Sequence, residues 1–121
     1  MFYILGNTSL ACMKLLTRSE EMLLLAVWRL QDDAYGVTIR DQLSAVSGKT
    51  WSFGALFVSL DRLVRKGHLE SYFSDPQPVP GGRRRRMYRL RPSGRRALCE
   101  IREVERALWN GVSEAALAAT T

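Results

Sequence analysis

The chain of 121 residues is long enough for one domain with a single hydrophobic core, which excludes a second independent core. Its hydrophobic fraction of 46% and charged fraction of 25% are ordinary for a globular protein, and its longest apolar run, residues 22–28, is far too short for the roughly 20 residues of a membrane span. The formal net charge of +6 favours a polyanionic partner, with nucleic acid first and an acidic membrane surface second.

The first residues are apolar but lack the basic region and the small-residue cleavage site of a signal peptide. Met13 starts the sequence MKLLT, which is typical of a natural start. We therefore interpret residues 1–12 as an upstream extension and expect residues 1–16 to lie outside the folded domain.

The first predicted helix follows this extension. Thr17-Arg18-Ser19-Glu20 fits a capping box, so the helix is expected to begin after Thr17 and to run to about Leu30. It is apolar nearly all round, and a domain this small covers only one side of such a helix. We expect a partner chain to cover the other side, at Leu24 and Trp28.

A second helix is predicted over residues 34–46, after a polar turn in which Asp32 or Asp33 caps it. Its expected buried stripe is Tyr35, Ile39, Leu43 and Val46. A short turn containing Gly48 leads to a third helix. Two helices joined by such a turn indicate a helix-turn-helix arrangement.

The third helix, residues 52–67, is the segment best suited to recognition. Ser52 stands at the N-cap and Gly67 at the end, and the buried stripe recurs at helical spacing: Leu56, Leu60, Leu63 and Val64. Gly54 and Ala55 keep the first turn small on the opposite face, so another surface could approach the backbone. An ordinary amphipathic core helix is the alternative on this segment alone.

A β-hairpin is predicted next. Residues 68–73 form one strand, the proline- and glycine-rich residues 75–82 form the tip, and residues 83–90 form the returning strand. That strand begins with four adjacent arginines. Because four like charges repel each other, they indicate a phosphate backbone as partner, with an affinity that falls as salt rises. A solvated run of charges is the alternative.

The last helix is expected to begin at Pro92, since proline is tolerated in a first turn, and to occupy residues 92–121. Apolar residues recur along it at spacings of three and four. A terminal stripe of this kind suits packing against a second subunit. Folding back onto its own domain is the alternative.

Catalytic and metal-binding chemistry lack the residues they need. Cys12 and Cys99 are the only cysteines, without metal-binding or disulfide spacing, so we expect reduced thiols in a cytoplasmic protein. A single histidine, His68, makes neither a zinc site nor a catalytic triad, and no GxGxxG or Walker sequence is present. The sequence predicts no enzyme, no metal and no cofactor.

In order and spacing, these segments resemble the PadR family of bacterial winged-helix transcriptional regulators. The resemblance covers the chain from Thr17 to about Leu98 and rests on EEMLLLAVWRL, AYGVTIRDQL, FGALFVSLDRLVRKGHLES, GGRRRRMYRL and PSGRRAL. The fold expected is mainly α with a small β-hairpin (α+β). It would comprise a winged helix-turn-helix DNA-binding domain over residues 17–91 and a long C-terminal dimerisation helix over residues 92–121.

The same resemblance implies a set of DNA-facing residues: Tyr35, Thr38, Ser52, Gly54, Ala55, Phe57, Arg62, Arg83, Arg84, Arg85 and Arg86. It also implies a dimer interface on the first and last helices: Leu24, Trp28, Leu98, Ile101, Leu108 and Val112. Three positions depart from the family pattern, with Phe57 in place of Tyr, Val58 in place of Pro, and Arg91 in place of a capping Thr. Ser93 is the alternative cap.

We therefore expect a cytoplasmic transcriptional repressor that binds a palindromic operator in double-stranded DNA as a homodimer, with no membrane partner. A small hydrophobic effector at the dimer interface would contact Trp109, with Trp28 behind it. Simple interface packing of the two tryptophans is the favoured alternative. A winged-helix module that binds an acidic protein partner is the alternative function.

Overall fold

A computed structural model describes residues 15–76, 78 and 81–119, and the expectations for residues 1–14, including Cys12, lie outside this part of the chain. Three helices precede a single hairpin and two follow it. In chain order the elements are α1 Arg18–Leu30, a 3-10 turn Gln31–Asp33, α2 Gly36–Ser47, α3 Phe53–Arg65, β1 Leu69–Phe73, β2 Arg86–Leu90, α4 Pro92–Trp109 and α5 Glu114–Ala119. The strands pair antiparallel, with Leu69 opposite Leu90 and Phe73 opposite Arg86. The predicted mainly helical fold with a small hairpin is confirmed.

The capping box predicted for α1 is present. Thr17 Oγ1 accepts from the backbone N–H of Glu20 at 3.1 Å, and Glu20 Oε1 accepts from the backbone N–H of Thr17 at 2.9 Å. Lys66 Nζ donates to the other carboxylate oxygen of Glu20 and thereby ties the start of α1 to the end of α3. Burial raises the pKa of Glu20, but the bonds and charge from Lys66 and Thr17 outweigh it and hold the pKa below its ordinary value.

The hydrophobic core lies between α1, α2, α3 and the hairpin. The α3 stripe Leu56, Leu60 and Leu63 is fully buried, as predicted, whereas Val64 is only partly buried. Leu24 is also fully buried in this core, so its predicted place in a dimer interface is wrong, because no surface of it remains for a partner. The apolar residues that α1 exposes are Leu25 and Trp28.

The start and end of α2 differ from the prediction. Residues 31–33 form their own 3-10 turn, so neither Asp32 nor Asp33 caps α2, and Tyr35 is the N-cap residue. Val46 is 71% exposed rather than buried, because the last turn of α2 extends beyond the core. It lines a shallow apolar groove between α1 and α2 instead.

The returning strand is shorter than predicted. It begins at Arg86, the partner of the last residue of β1, so residues 83–85 have no strand to pair with. Ser74 holds them instead: its backbone N–H donates to the Arg85 carbonyl at 2.8 Å, and its Oγ accepts from the Arg85 N–H at 2.8 Å. The hairpin joins the start of α2 through a bridge between Tyr35 and Met87.

The last helix begins at Pro92, as predicted, but does not run to the end of the chain. It ends at Trp109: Asn110 leaves the helical conformation with a ψ of 122°, and Gly111 follows with a φ of 82°, a left-handed conformation that favours glycine. Val112 therefore lies between α4 and the short α5, and residues 120–121 lie outside the described chain. The expectation of one continuous helix over residues 92–121 is wrong.

The start of α4 is held by contacts with the turn that follows α3. Arg91 is the N-cap without a side-chain hydrogen bond, and Ser93 is not the cap, because its Oγ lies 2.8 Å from Nδ1 of His68. His68 is therefore structural in this fold, and burial together with the charge of Lys66 lowers its pKa. Gly94 lies directly against the His68 carbonyl.

The two halves of α4 have different surroundings. Leu98 and Ile101 pack partly against the core, which agrees with the fold-back alternative. Leu108 is 72% exposed, so the distal half projects from the domain. Arg18 links the middle of α4 to α1, with an Nη1 atom 3.2 Å from Glu105 and 3.3 Å from Glu21.

Candidate nucleic-acid interface

The first turn of α3 is open to an approaching ligand. Ser52 caps it, with Oγ accepting from the Ala55 N–H at 3.1 Å. Gly54 and Ala55 are exposed, and a Cβ atom built on Gly54 would meet nothing within 4 Å. The N–H groups of this turn that Ser52 does not cap and the positive end of the helix dipole therefore face an accessible surface that suits an anion.

The outward face of α3 continues from this turn along one stripe. Gly54, Val58, Arg62 and Arg65 follow at spacings of four, four and three, and all are exposed. Val58, at 56% exposure, lies on this outward face, as its helical spacing opposite the leucine stripe predicts, although the family resemblance did not mark it as DNA-facing.

Two groups of stacked side chains, together called the aromatic–arginine cluster, lie at the start of α3 and at the start of α2. The cluster consists of Arg40, Phe53, Phe57, Tyr35 and Arg85. The Arg40 guanidinium lies 4.4 Å from the Phe53 ring centroid, and the Phe53 and Phe57 centroids are 6.1 Å apart. The Arg85 guanidinium lies 4.4 Å from the ring centroid of Tyr35. Arg40 also donates a hydrogen bond of 2.6 Å from Nε to the Trp51 carbonyl.

Phe57, from the first group, packs against Gly36, which directly follows Tyr35 of the second group in the chain. The tip of the Phe57 ring packs so closely there that a Cβ atom on Gly36 would lie 2.8 Å from Phe57 Cζ. Phe57 is 38% exposed, so only part of its ring faces outward. Arg40 was missed in the predicted site, because its stacking on Phe53 is not readable from the sequence.

The four hairpin arginines are not equivalent. Arg83 is exposed and makes no hydrogen bond or ion pair with the described residues, whereas Arg84 donates from Nε to the Ser74 carbonyl at 2.9 Å. Arg85 stacks on Tyr35, and Arg86 Nη2 lies 3.1 Å from Asp61 Oδ1 on α3. The interpretation of four unpartnered charges on one strand is therefore corrected: Asp61 neutralises one of them, and three remain for an anionic ligand.

Thr38 is committed to the start of α2. Its hydroxyl accepts from the Tyr35 N–H at 3.0 Å and lies within hydrogen-bonding distance of the Tyr35 and Asp33 carbonyls. The hydroxyl therefore acts as a cap, which leaves the methyl group rather than the hydroxyl for a ligand. Tyr35 itself is half-buried beneath Arg85.

These elements bring most of the predicted DNA-facing residues to the surface formed by α3, the start of α2 and the hairpin. Three residues predicted for the dimer interface or an effector lie elsewhere: Leu108, Val112 and Trp109 are at the distal end of α4 and its junction with α5. Across the described residues, no group of three or more His, Cys, Asp and Glu side chains could hold a metal ion. None of the helices described has the length and apolar content needed to cross a bilayer.

A protein-family model matches most of the folded chain. It is described as the Transcriptional regulator PadR-like family and aligns with residues 24–100. The chain is a member of the PadR-like family. This PadR-like protein is therefore a transcriptional regulator, and the family predicted from the ordered sequence segments is confirmed.

Solved structures agree with this assignment at the level of the fold. A PadR family transcription regulator from Clostridium difficile R20291 shares 24% identity with a TM-score of 0.54, covering 77% of this chain and 88% of its own. A PadR-like transcription factor from Bacteroides fragilis shares 23% identity with a TM-score of 0.61, covering 78% and 89%. A Streptococcus mutans UA159 protein shares 24% identity with a TM-score of 0.62, covering 84% and 89%. A comparison with curated proteins gave no match.

Proposed function

We propose that this PadR-like regulator is a cytoplasmic repressor that binds a palindromic operator as a homodimer. In this proposal α3 enters the major groove, and hairpin arginines contact the flanking phosphates. The observation that carries it is the aromatic–arginine cluster, which stacks the Arg40 guanidinium on Phe53 in the first turn of α3 and the Arg85 guanidinium on Tyr35 at the start of α2. Preorganised cations beside a groove-reading helix suit the phosphates that border a groove.

The charges around α3 support a polyanionic partner. Arg62 and Arg65 are exposed on α3 itself, and Arg83, Arg84 and Arg85 extend the basic surface along the hairpin. The one acidic residue of α3 is Asp61, and it is paired with Arg86. Each phosphate that these cations neutralise would steepen the dependence of log affinity on log salt by about 0.9.

The exposed apolar residues support a homodimer. Leu25 and Trp28 on α1 are 42% and 49% exposed, and Leu108 and Trp109 at the end of α4 are 72% and 50% exposed. A second copy would remove this area from water. We assign residues 17–91 to DNA binding and residues 92–121 to dimerisation. Half-sites would then lie about 34 Å apart if both α3 helices engage one face of the duplex.

An effector site would lie at the end of α4. Trp109, Val112 and Leu117 line an open, largely apolar hollow at the junction of α4 and α5. A small hydrophobic effector would contact Trp109 there and alter the dimer. The alternative is that the same side chains simply pack against the second subunit. A change in Trp109 fluorescence on addition of an effector would support the effector site, and no change would support packing alone.

The test is a salt titration of binding to a labelled duplex from the region upstream of this protein's own gene, beside a scrambled duplex. We expect tighter binding to the upstream duplex. Arg84→Ala and Arg85→Ala should each flatten the salt slope by about 0.9 on both duplexes, because backbone contacts position the protein without reading sequence. Arg106→Ala is the matched control, since Arg106 lies on the distal half of α4.

Two outcomes contradict the proposal. Equal, weak binding to both duplexes would favour the acidic protein partner as the ligand of the basic surface. Unchanged salt slopes in the Arg84 and Arg85 variants would remove the hairpin from the interface. Repression itself is checked with a reporter placed behind the bound duplex, whose expression should fall when the protein is supplied.

A further inference from the structure

The junction between α3 and the hairpin contains a three-element contact built around Arg86. Its Nη2 atom lies 3.1 Å from Asp61 Oδ1 on α3 and 3.4 Å from Ser71 Oγ on β1. Its guanidinium also lies 5.5 Å from the ring centroid of Tyr88 on β2. Arg86 is thus directed toward α3 and the sheet by three separate groups.

The ion pair is partly shielded from water. The side chains of Asp61 and Arg86 are 43% and 41% exposed overall, but Asp61 Oδ1 is shielded completely. Asp61 Oδ1 is close enough to Arg86 to form an ion pair, but the two groups are not aligned as a hydrogen bond. An exposed pair of this kind contributes little to folding stability, so its consequence is to be sought in where the two charges are held.

The charges of Arg86 and Asp61 both influence the pKa of the neighbouring Tyr88. Its ring is fully buried, and its hydroxyl has no hydrogen-bond partner among the described residues. Burial raises the pKa of Tyr88, the Arg86 cation opposes this change, and the Asp61 carboxylate adds to it. Asp61, Arg86 and Tyr88 therefore form one electrostatic cluster at the point where the hairpin meets α3.

We propose that Asp61 is a positioning residue that holds Arg86 against α3, so that Arg83, Arg84 and Arg85 contact the DNA backbone and Arg86 does not. This inference rests on the proposed function. It assigns to Asp61, the only acidic residue in the α3 sequence FGALFVSLDRLVR, the role of limiting sequence-independent affinity.

The physical consequence concerns specificity. Phosphate contacts add affinity for every sequence alike, whereas base contacts from α3 distinguish one sequence from another. A fourth free arginine on the hairpin would strengthen operator and non-operator complexes together. Asp61 removes that contribution. A guanidinium that is held on a carboxylate neutralises no phosphate, and therefore releases no counterion from DNA.

The test uses the full-length protein with three variants: Asp61→Asn, Arg86→Gln and the double variant. We expect Arg86→Gln to leave the salt slope unchanged. Asp61→Asn should steepen it by about 0.9, so that affinity falls about 3.5-fold more between 50 and 200 mM salt than in the wild type. The double variant should return to the wild-type slope. Asp41→Asn is the matched control, since Asp41 is an exposed acidic residue of α2.

The outcomes separate this inference from the proposed function. A flatter slope in Arg86→Gln means that Arg86 already contacts phosphate and overturns the inference, as does an unchanged slope in Asp61→Asn. A steeper slope that persists in the double variant, or that Asp41→Asn reproduces, also overturns it, because the effect is then general charge removal. Wild-type protein without preference for the upstream duplex overturns the proposed function and this inference together. If Asp61→Asn fails to fold, the slope of Arg86→Gln decides.

Discussion

Replacement of Gly94 by alanine should loosen the attachment of α4 to the rest of the domain. A Cβ atom at this position would lie 2.5 Å from the His68 carbonyl oxygen and 2.8 Å from Leu90 Cδ1. The carbonyl cannot easily move aside, because it accepts a 3.0 Å hydrogen bond from the Arg91 N–H at the start of α4. Overpacking of this kind costs about 1–3 kcal/mol, while alanine regains about 1 kcal/mol of helix propensity. The two effects together should lower the free energy of unfolding of Gly94→Ala by up to about 2 kcal/mol, and should leave it about 1–3 kcal/mol below that of a Gly→Ala variant without the clash.

Gly54→Ala is the matched control, since Gly54 also lies in the first turn of a helix. Nothing lies within 4 Å of its added Cβ atom, so the gain in propensity is unopposed, and the variant should be as stable as the wild type or up to about 1 kcal/mol more stable. Urea unfolding followed by circular dichroism measures both, at several protein concentrations because self-association shifts apparent stability. A Gly94→Ala variant as stable as Gly54→Ala would refute the close contact.

Three further variants test the interface and the buried carboxylates. Leu108→Glu should leave the subunit folded, because Leu108 is 72% exposed, yet place a charge in the proposed dimer seam at a cost of about 1–3 kcal/mol; sedimentation should show monomers with weak operator binding. Glu20→Gln should be less stable than the wild type at neutral pH, with the gap closing below about pH 4.3, because the folded pKa of Glu20 is lowered. Burial and the Glu105 carboxylate raise the pKa of Glu21, so Glu21→Gln should be more stable than the wild type at neutral pH, and this gap should also close in acid. A reversed sign for either glutamate in the unfolding curves would contradict its assigned surroundings.

The parts of the fold that follow from local sequence were predictable. Ser52 caps α3 through a bond to a residue three positions away, and the buried stripe Leu56, Leu60 and Leu63 repeats within one helix. The Thr17 and Glu20 capping box is equally local. Such signals need only a few neighbouring residues, so one sequence is sufficient to read them.

The wrong assignments concern residues whose surroundings depend on distant parts of the chain. Helix α1 is apolar nearly all round, and its sequence gives no indication that Leu24 faces the core while Leu25 faces outward. The turn at Asn110 and Gly111 ends α4 even though the apolar spacing continues to Val112. Within the candidate site, Asp61 and Arg86 are 25 positions apart, so their pairing depends on the hairpin returning to α3.

The turn after α3 connects the proposed DNA-binding surface to the proposed dimerisation helix. Lys66 pairs with Glu20 at the start of α1, and the His68 carbonyl accepts from Arg91 at the start of α4. The ring of His68 meets Ser93 on the first turn of α4. Because packed contacts of this kind shift as units rather than deform continuously, a rotation of α4 in the dimer would be transmitted to α3 through this turn. The distance between the two α3 helices, and with it the spacing of half-sites, would therefore depend on the contacts of residues 66–68 as much as on the seam itself.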